Sequence, residues 1–381
     1  METRTRTLIE ASGHDAFVVF GSDNIRFMTG VTLPFPESYP ERQAVAIVPV
    51  EGDTCAFVVP PDWVQAVKDQ GWKEVVVAYD ENGGLHPVPF TKALKSSLSS
   101  LGLNKLKIGY DSTRVSAGLM EMVKSSTKTR FIPIDNHLFE ARAVKTLAEI
   151  ALIEKSCEFA DRGIIHALNH LEGTMWGPGY TVPEFAERIR VHLFESGGSG
   201  VGHMAVTVGD DTQLLYAPHR GDINEGLLLR SDITSHSMGY WSSISRMAYT
   251  GYPPPEIEDT YYDNQEIKMF AVELLKPGAR GDKIFNTIKA EATKVGAKLF
   301  GSSVGHGVGC SHNEAPWLNE GSQDELQGGN VISLGVSTLG PRKEVFVDRD
   351  VYEITPEGAR KLSWYRSWSS IYTVTGFRAV H

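Results

Sequence analysis

The stretch GHGVGCSHNEAP, residues 305–316, puts two imidazoles, a thiol and a carboxylate within one short segment. An imidazole with an ordinary pKa of ~6.5 can take and return a proton near neutrality. His306 stands among Gly305, Gly307 and Gly309, where backbone and ligand can approach closely; the alternative is a loop histidine that only packs. His219 in YAPHRGD carries the same two readings. Further acid and base chemistry is sparse. In LLLRSDITSHSMGYWSSISRMAYTG there is one acid, Asp232, and no second; Ser242, Ser243 and Ser245 offer only hydroxyls. Arg349, within VFVDRDVYEITPEG, is either a fixed cation projecting from a strand or a solvated arginine on a charged edge. Tyr240, Trp241 and Trp317 can enclose a planar or cationic ligand, or simply be core. Nothing marks Cys310 as activated, because a reactive thiolate needs an electropositive setting.

The elements that must hold these residues fall into two groups. Residues 1–140 alternate short β-rich runs with helices, the pattern of an α/β domain. AFVVF (16–20), AVAIV (44–48), CAFVV (55–59), VVVAY (75–79) and KIGYD (107–111) read as strands, with helices over 62–70 and 91–101. Residues 141–381 mix helices and strands differently. Leu147, Ile150, Ile153, Cys157, Ala160, Ile164 and Leu168 recur at spacings of three and four, one apolar stripe on a long helix. Thr181-Val-Pro-Glu184 is a capping box, so a second helix starts there and runs to about Glu195. Two more helices follow GYPPPE, one through Leu275 and one over 282–299. Strands are expected at 204–208, 227–233, 239–249, 331–334 and 344–354. This is an α+β domain, a curved antiparallel sheet covered by helices on one side.

Composition excludes several functions. At 381 residues the chain suits two domains, and 41% hydrophobic with 22% charged residues is ordinary for a globular protein. A formal net charge of -10 disfavours nucleic acid, which needs clustered Lys and Arg. No secretory signal and no membrane-length apolar run is visible, so a cytoplasmic location is expected. Three scattered cysteines make neither a disulfide framework nor a cysteine zinc site.

Taken in order, YAPHRGD, the hairpin around Asp232, GHGVGCSHNEAP, and the pair NVISLGVS with VFVDRDVYEITPEG form a set. With NIRFMTG at 24–30, this set resembles the creatinase, prolidase and aminopeptidase P family, whose fold is the pita-bread fold. The resemblance covers nearly the whole chain. It implies an N-terminal creatinase-like α/β domain at 1–140 and a C-terminal pita-bread catalytic domain at 141–381.

The family's metallopeptidases hold two metal ions with two Asp, one His and two Glu. Position by position these fall on Asp232, Ser243, His306, Gly335 and Arg349, or on Asp348 in place of Arg349 with a one-residue slip. Two divalent ions repel one another and need several carboxylates to neutralise them. The dinuclear metal is therefore expected to be gone, leaving room at most for one ion at Asp232, His306 and Asp348. Creatinase works on this fold without metal. By that resemblance His219 is the general base, His306 and Asp232 a supporting pair in which the carboxylate fixes the imidazole's tautomer, and Arg349 an anion anchor. The next family histidine falls on Asn313, with His312 one place before it and Glu314 one after: either Asn313 replaces it as a neutral hydrogen-bonder or the loop is reshaped and His312 serves, and Asn313, His312, Glu314 and Tyr240 are expected to bind substrate. Arg42 is either a solvated loop arginine or, by the resemblance, the counterpart of a creatinase arginine that reaches a neighbouring subunit's site, which implies a homodimer with sites near the interface. The expected function is a metal-independent, cofactor-free, creatinase-like hydrolase cleaving a C–N bond in a small polar molecule. A lyase or isomerase using a His base, and a peptidase-like binding protein, are the alternatives.

Overall fold

AFVV at 16–19 is buried at every residue, as expected for a strand covered on both faces. It is an inner strand of a six-stranded sheet in the computed structural model, which describes residues 3–34, 42–51, 54–80, 87–174, 180–214, 220–365 and 370–375. The chain divides into two units, Met1–Arg142 and Ala143–His381.

In the first unit the strands are β1 (Ala16–Val19), β2 (Val45–Pro49), β3 (Ala56–Val59), β4 (Val75–Ala78), β5 (Lys107–Tyr110) and β6 (Arg130–Pro133). Their order is β4-β3-β2-β1-β5-β6, with β1 antiparallel to β2 and parallel to β5. Phe90, Leu94 and Leu98 of the helix Pro87–Ser100 pack in the core beside the sheet. The NIRFMTG landmark proves to be a helix, Ser22–Thr29, closed by Gly30 in the left-handed conformation. Its buried Asn24 donates to Asp111 and accepts from Arg142, while Asp23 receives both Arg114 and Arg142. Those groups satisfy one another within this unit.

The second unit begins with α1 (Leu147–Thr174) and α2 (Val182–Glu195). The expected stripe from Ile150 to Leu168 is buried, but Leu147 is 82% exposed. It sits at the first helical residue, where the stripe has not yet met the sheet. Both halves of the Thr181/Glu184 capping box form. The strands that follow are β7 (Gly200–Val208), β8 (Leu228–Ser237), β9 (Tyr240–Thr250), β10 (Ser303–Gly307), β11 (Glu314–Asn319), β12 (Val331–Gly335) and β13 (Arg349–Thr355). They are ordered β11-β10-β12-β13-β9-β8-β7 with every neighbouring pair in that row antiparallel, while Gly358–Lys361 also pairs with β13 and Tyr372–Val374 pairs with β9 in parallel. The remaining helices are α3 (Pro255–Glu273) and α4 (Gly281–Lys294); α4 stops five residues short of the expected end, and Gly296 at φ +78° follows it.

Alternation along the central hairpin decides what this sheet can do. Ile233, Ile244 and Ala248 belong to the core that also holds Ile153, Ala160 and Ile164 of α1. Ser235 and Ser242 point the same way and exchange hydrogen bonds with Ser156 of α1. Asp232, Thr234, Ser243 and Ser245 are therefore left for the opposite face. The helix-covered face also holds a closed set of charges. Arg246 reaches Asp161 at 2.8 Å, Asp348 at 2.8 Å and Asp350 at 2.9 Å. Lys268 joins Asp348 and Asp350, and Lys361 joins Asp350 at 3.0 Å. Three cations meet three carboxylates. Among the described residues no helix is long and apolar enough to cross a membrane.

Candidate active site

Strand register brings the chemistry-bearing residues to the face away from α1. Gly335 of β12 lies opposite Arg349 of β13, and Arg349 opposite Ser245 of β9. Ser245 in turn lies opposite Asp232 of β8. The Arg349 side chain crosses this surface: Nη1 is 3.3 Å from Asp232 Oδ1 and 3.4 Å from Ser243 Oγ. A cavity of about 380 Å³ opens over it, lined by Asp232, Ser243, His306, His312, Asn313 and Arg349 among others.

His306 sits in β10 with Nδ1 3.0 Å from the Gly307 carbonyl. A carbonyl oxygen only accepts, so Nδ1 carries the proton and the Nε2 lone pair is the basic one. Asp232 was expected to fix this tautomer; the backbone does so, and Asp232 is turned to Arg349 instead. Burial, and then the Arg349 cation, push the His306 pKa down to about 4. In an unfolded chain the ring titrates near ~6.5. The unfolded state thus binds more protons between those values, so stability associated with the neutral ring is complete above pH 6.5 and lost as pH falls toward 4. An NMR titration of the His306 ring should accordingly show a midpoint near 4; a midpoint at 6.5 would contradict this environment.

The glycines around His306 have a different cause from the one expected. A Cβ at Gly305 would lie 2.6 Å from the Ser333 carbonyl, and one at Gly307 would collide with the Ala315 backbone. Neighbouring strands, rather than a ligand, exclude side chains there. A Cβ at Gly309 would meet Glu314 and Lys145.

Several proposed site residues are placed elsewhere. Glu314 is buried in an ion pair with Lys145 at 2.8 Å. Tyr240 is on the helix side of the hairpin, its hydroxyl donating to Glu149 of α1 at 3.1 Å. Arg42, in the first unit, pairs with Asp62 at 2.8 Å and lies over the Trp63 ring. His219 lies outside the described residues. Asp348 is on the helix-covered face with Arg246 and Lys268, so the one-residue slip does not bring it to Asp232. Trp317 lines the cavity, and the Trp241 and His312 rings meet at a tilt, their centroids 5.7 Å apart. His203 and Thr234 also line it, joined by the His203 N–H donating to Thr234 Oγ1 at 2.6 Å. Thr234 was legible as the next residue on the Asp232 face; His203 reaches the site through β7–β8 pairing, which leaves no mark in the sequence.

A model of metallopeptidase family M24 matches residues 151–360, more than half of the chain. The chain belongs to that family. A model of the creatinase/prolidase N-terminal domain matches residues 3–144. An Xaa-Pro dipeptidase of Pyrococcus horikoshii is 23% identical over 375 residues, covering 95% of this chain and 97% of the relative. A protein of Bacillus subtilis described as uncharacterized peptidase YqhT is 22% identical over 364 residues, covering 94% and 96%. The crystal structure of X-Pro aminopeptidase from Thermotoga maritima aligns with a TM-score of 0.83 and 21% identity, over 97% of this chain and 98% of that one. The fold is the expected one, an α/β N-terminal domain followed by a pita-bread domain.

The expected function is corrected. A metal-independent, creatinase-like hydrolase of non-peptide C–N bonds is overturned by M24 relatives that are peptidases and Xaa-Pro dipeptidases. The missing carboxylates had drawn the comparison to creatinase, but a changed ligand set records which positions changed and not which reaction they serve.

M24 membership implies metal ions, and the residues present can be tested for that fit. Asp232 and His306 remain, while the Arg349 guanidinium occupies the space between Asp232 and Ser243. A Glu at 335 would start from a Cβ only 2.7 Å from Arg349 Nε. Among the described residues no group of three or more His, Cys, Asp or Glu could hold a metal ion. The residues do not fit a pair of divalent cations.

Proposed function

We propose that this M24 protein hydrolyses a peptide bond in short peptides bound in the cavity over Asp232, His306 and Arg349. The carrying observation is the His306 tautomer: an imidazole held neutral by burial and Arg349, its Nδ1 proton committed to the Gly307 carbonyl, which leaves the Nε2 lone pair of a cavity-lining ring to accept a proton. The cavity's ~380 Å³ lies in the range of small-molecule sites. It suits a dipeptide-sized ligand better than a folded partner. The peptidase names of the relatives support the bond type.

In this reading Nε2 accepts a proton as the water oxygen attacks the peptide carbonyl carbon. The same proton passes to the leaving nitrogen as the C–N bond breaks, giving a carboxylate and an amine. A dipeptide library, Xaa-Pro members included, should yield free amino acids in a chromatographic assay. Failure of every member, with and without added Mn²⁺, would dismiss the proposal.

A further inference from the structure

The disagreement between family and site has a definite charge pattern. Of the five positions at which M24 metallopeptidases place metal ligands, three here have lost the carboxylate, as Ser243, Gly335 and Arg349. The three changes are physically coupled. Arg349 can lie across β12 only because residue 335 has no side chain, since a Cβ there would meet Arg349 Nε at 2.7 Å and its Cβ at 3.0 Å. Once across, it reaches Asp232 and the Ser243 hydroxyl. An Asp at 243 would add a second acid to compete for the same guanidinium.

Charge on this face is now inverted. Arg230 stands two residues before Asp232 on the same face of β8, fully buried, with its guanidinium donating to the Thr212 and Leu214 carbonyls. Two fixed cations thus accompany one carboxylate. Arg349 is also underused as a donor. Its two contacts at 3.3 and 3.4 Å are long for charge-assisted bonds, and its buried Nε has no hydrogen-bond partner among the described residues. A guanidinium offers five N–H groups in a planar fork that matches a carboxylate bidentately.

We infer that the position occupied by metal ions in M24 metallopeptidases is an anion site in this chain, where Arg349, seated over Gly335, receives a carboxylate of the ligand. This rests on the peptide-hydrolase reading only for the identity of the ligand; the charge inversion stands without it.

The test uses calorimetric titration of the full chain with N-acetylglycine and its neutral counterpart N-acetylglycinamide, and equilibrium dialysis against Mn²⁺. Wild type should bind the acid ten- to a hundred-fold tighter than the amide, as expected for losing a charge-assisted hydrogen bond. Arg349→Gln should abolish that preference, and Arg349→Lys should restore part of it, because a point charge cannot reproduce the fork. Wild type should retain no Mn²⁺, whereas the triple variant Ser243→Asp, Gly335→Glu, Arg349→Glu, joined by Asp232 and His306, should acquire it. Mn²⁺ retained by wild type, acid and amide bound alike or not at all, or a preference surviving Arg349→Gln would each overturn the inference. Acid binding at Arg349 without cleavage of any peptide would instead defeat the hydrolase reading and leave this one intact.

Discussion

Arg246→Met lowers the stability of the second unit by about 3–5 kcal/mol, the usual consequence of removing one partner from a buried ion network. Arg246 is 5% exposed and holds Asp161, Asp348 and Asp350 together beneath the sheet. Without it, Asp348 and Asp350 keep Lys268 and Lys361, while the buried Asp161 keeps the Tyr365 backbone N–H but loses its arginine. For a unit of this size, ~2–4 °C per kcal/mol puts the loss at roughly 6–20 °C in the melting temperature of its transition. Differential scanning calorimetry would measure it. A shift below about 2 °C would mean that the network is hydrated or that its charges are not held as described. Since Asp348 and Asp350 flank Arg349 where β13 begins, a smaller collateral loss of ligand binding is expected with it.

His306→Ala is expected to reduce kcat by about 10²–10⁴-fold while leaving the melting temperature close to wild type. The ring's proton-bearing Nδ1 touches only the Gly307 carbonyl next to it in sequence, so its removal breaks no long-range contact by that bond. His306→Asn keeps a donor for that carbonyl but supplies no basic lone pair, and should fail nearly as badly. Steady-state kinetics on whichever dipeptide is cleaved gives the answer. Wild-type turnover in either variant would remove His306 from the chemistry and leave His203 and His312 of the cavity lining, with His219, as candidate bases.

How far such a site can be read in advance is shown by its individual residues. The long helix, the capping box at Thr181 and most strands of both domains were legible because they depend on local periodicity and capping, whereas Arg130–Pro133, Ser303–Gly307 and Glu314–Asn319 were not read as strands. Asp232, Ser243, Gly335, His306 and Arg349 were legible as a group only through resemblance, and strand register places them on one surface. Tyr240 was misplaced although period-two alternation, counted from Ser243 and Ser245, puts it on the other face. Glu314 was misplaced for a different reason. Its partner Lys145 is far away in sequence, and nothing local announces a buried pair. The tautomer of His306 was assigned to Asp232 because carboxylates commonly orient imidazoles; the guanidinium that claims Asp232 comes from a strand more than a hundred residues later.

The most direct measurement is a crystal structure of the chain with a slowly cleaved or product peptide and excess Mn²⁺ in the same drop. The account predicts the peptide carboxylate within ~3 Å of the Arg349 guanidinium, a carbonyl carbon facing His306 Nε2, and no anomalous peak between Asp232 and His306. Two Mn²⁺ peaks there, with Arg349 swung away from Asp232 and Ser243, would contradict it.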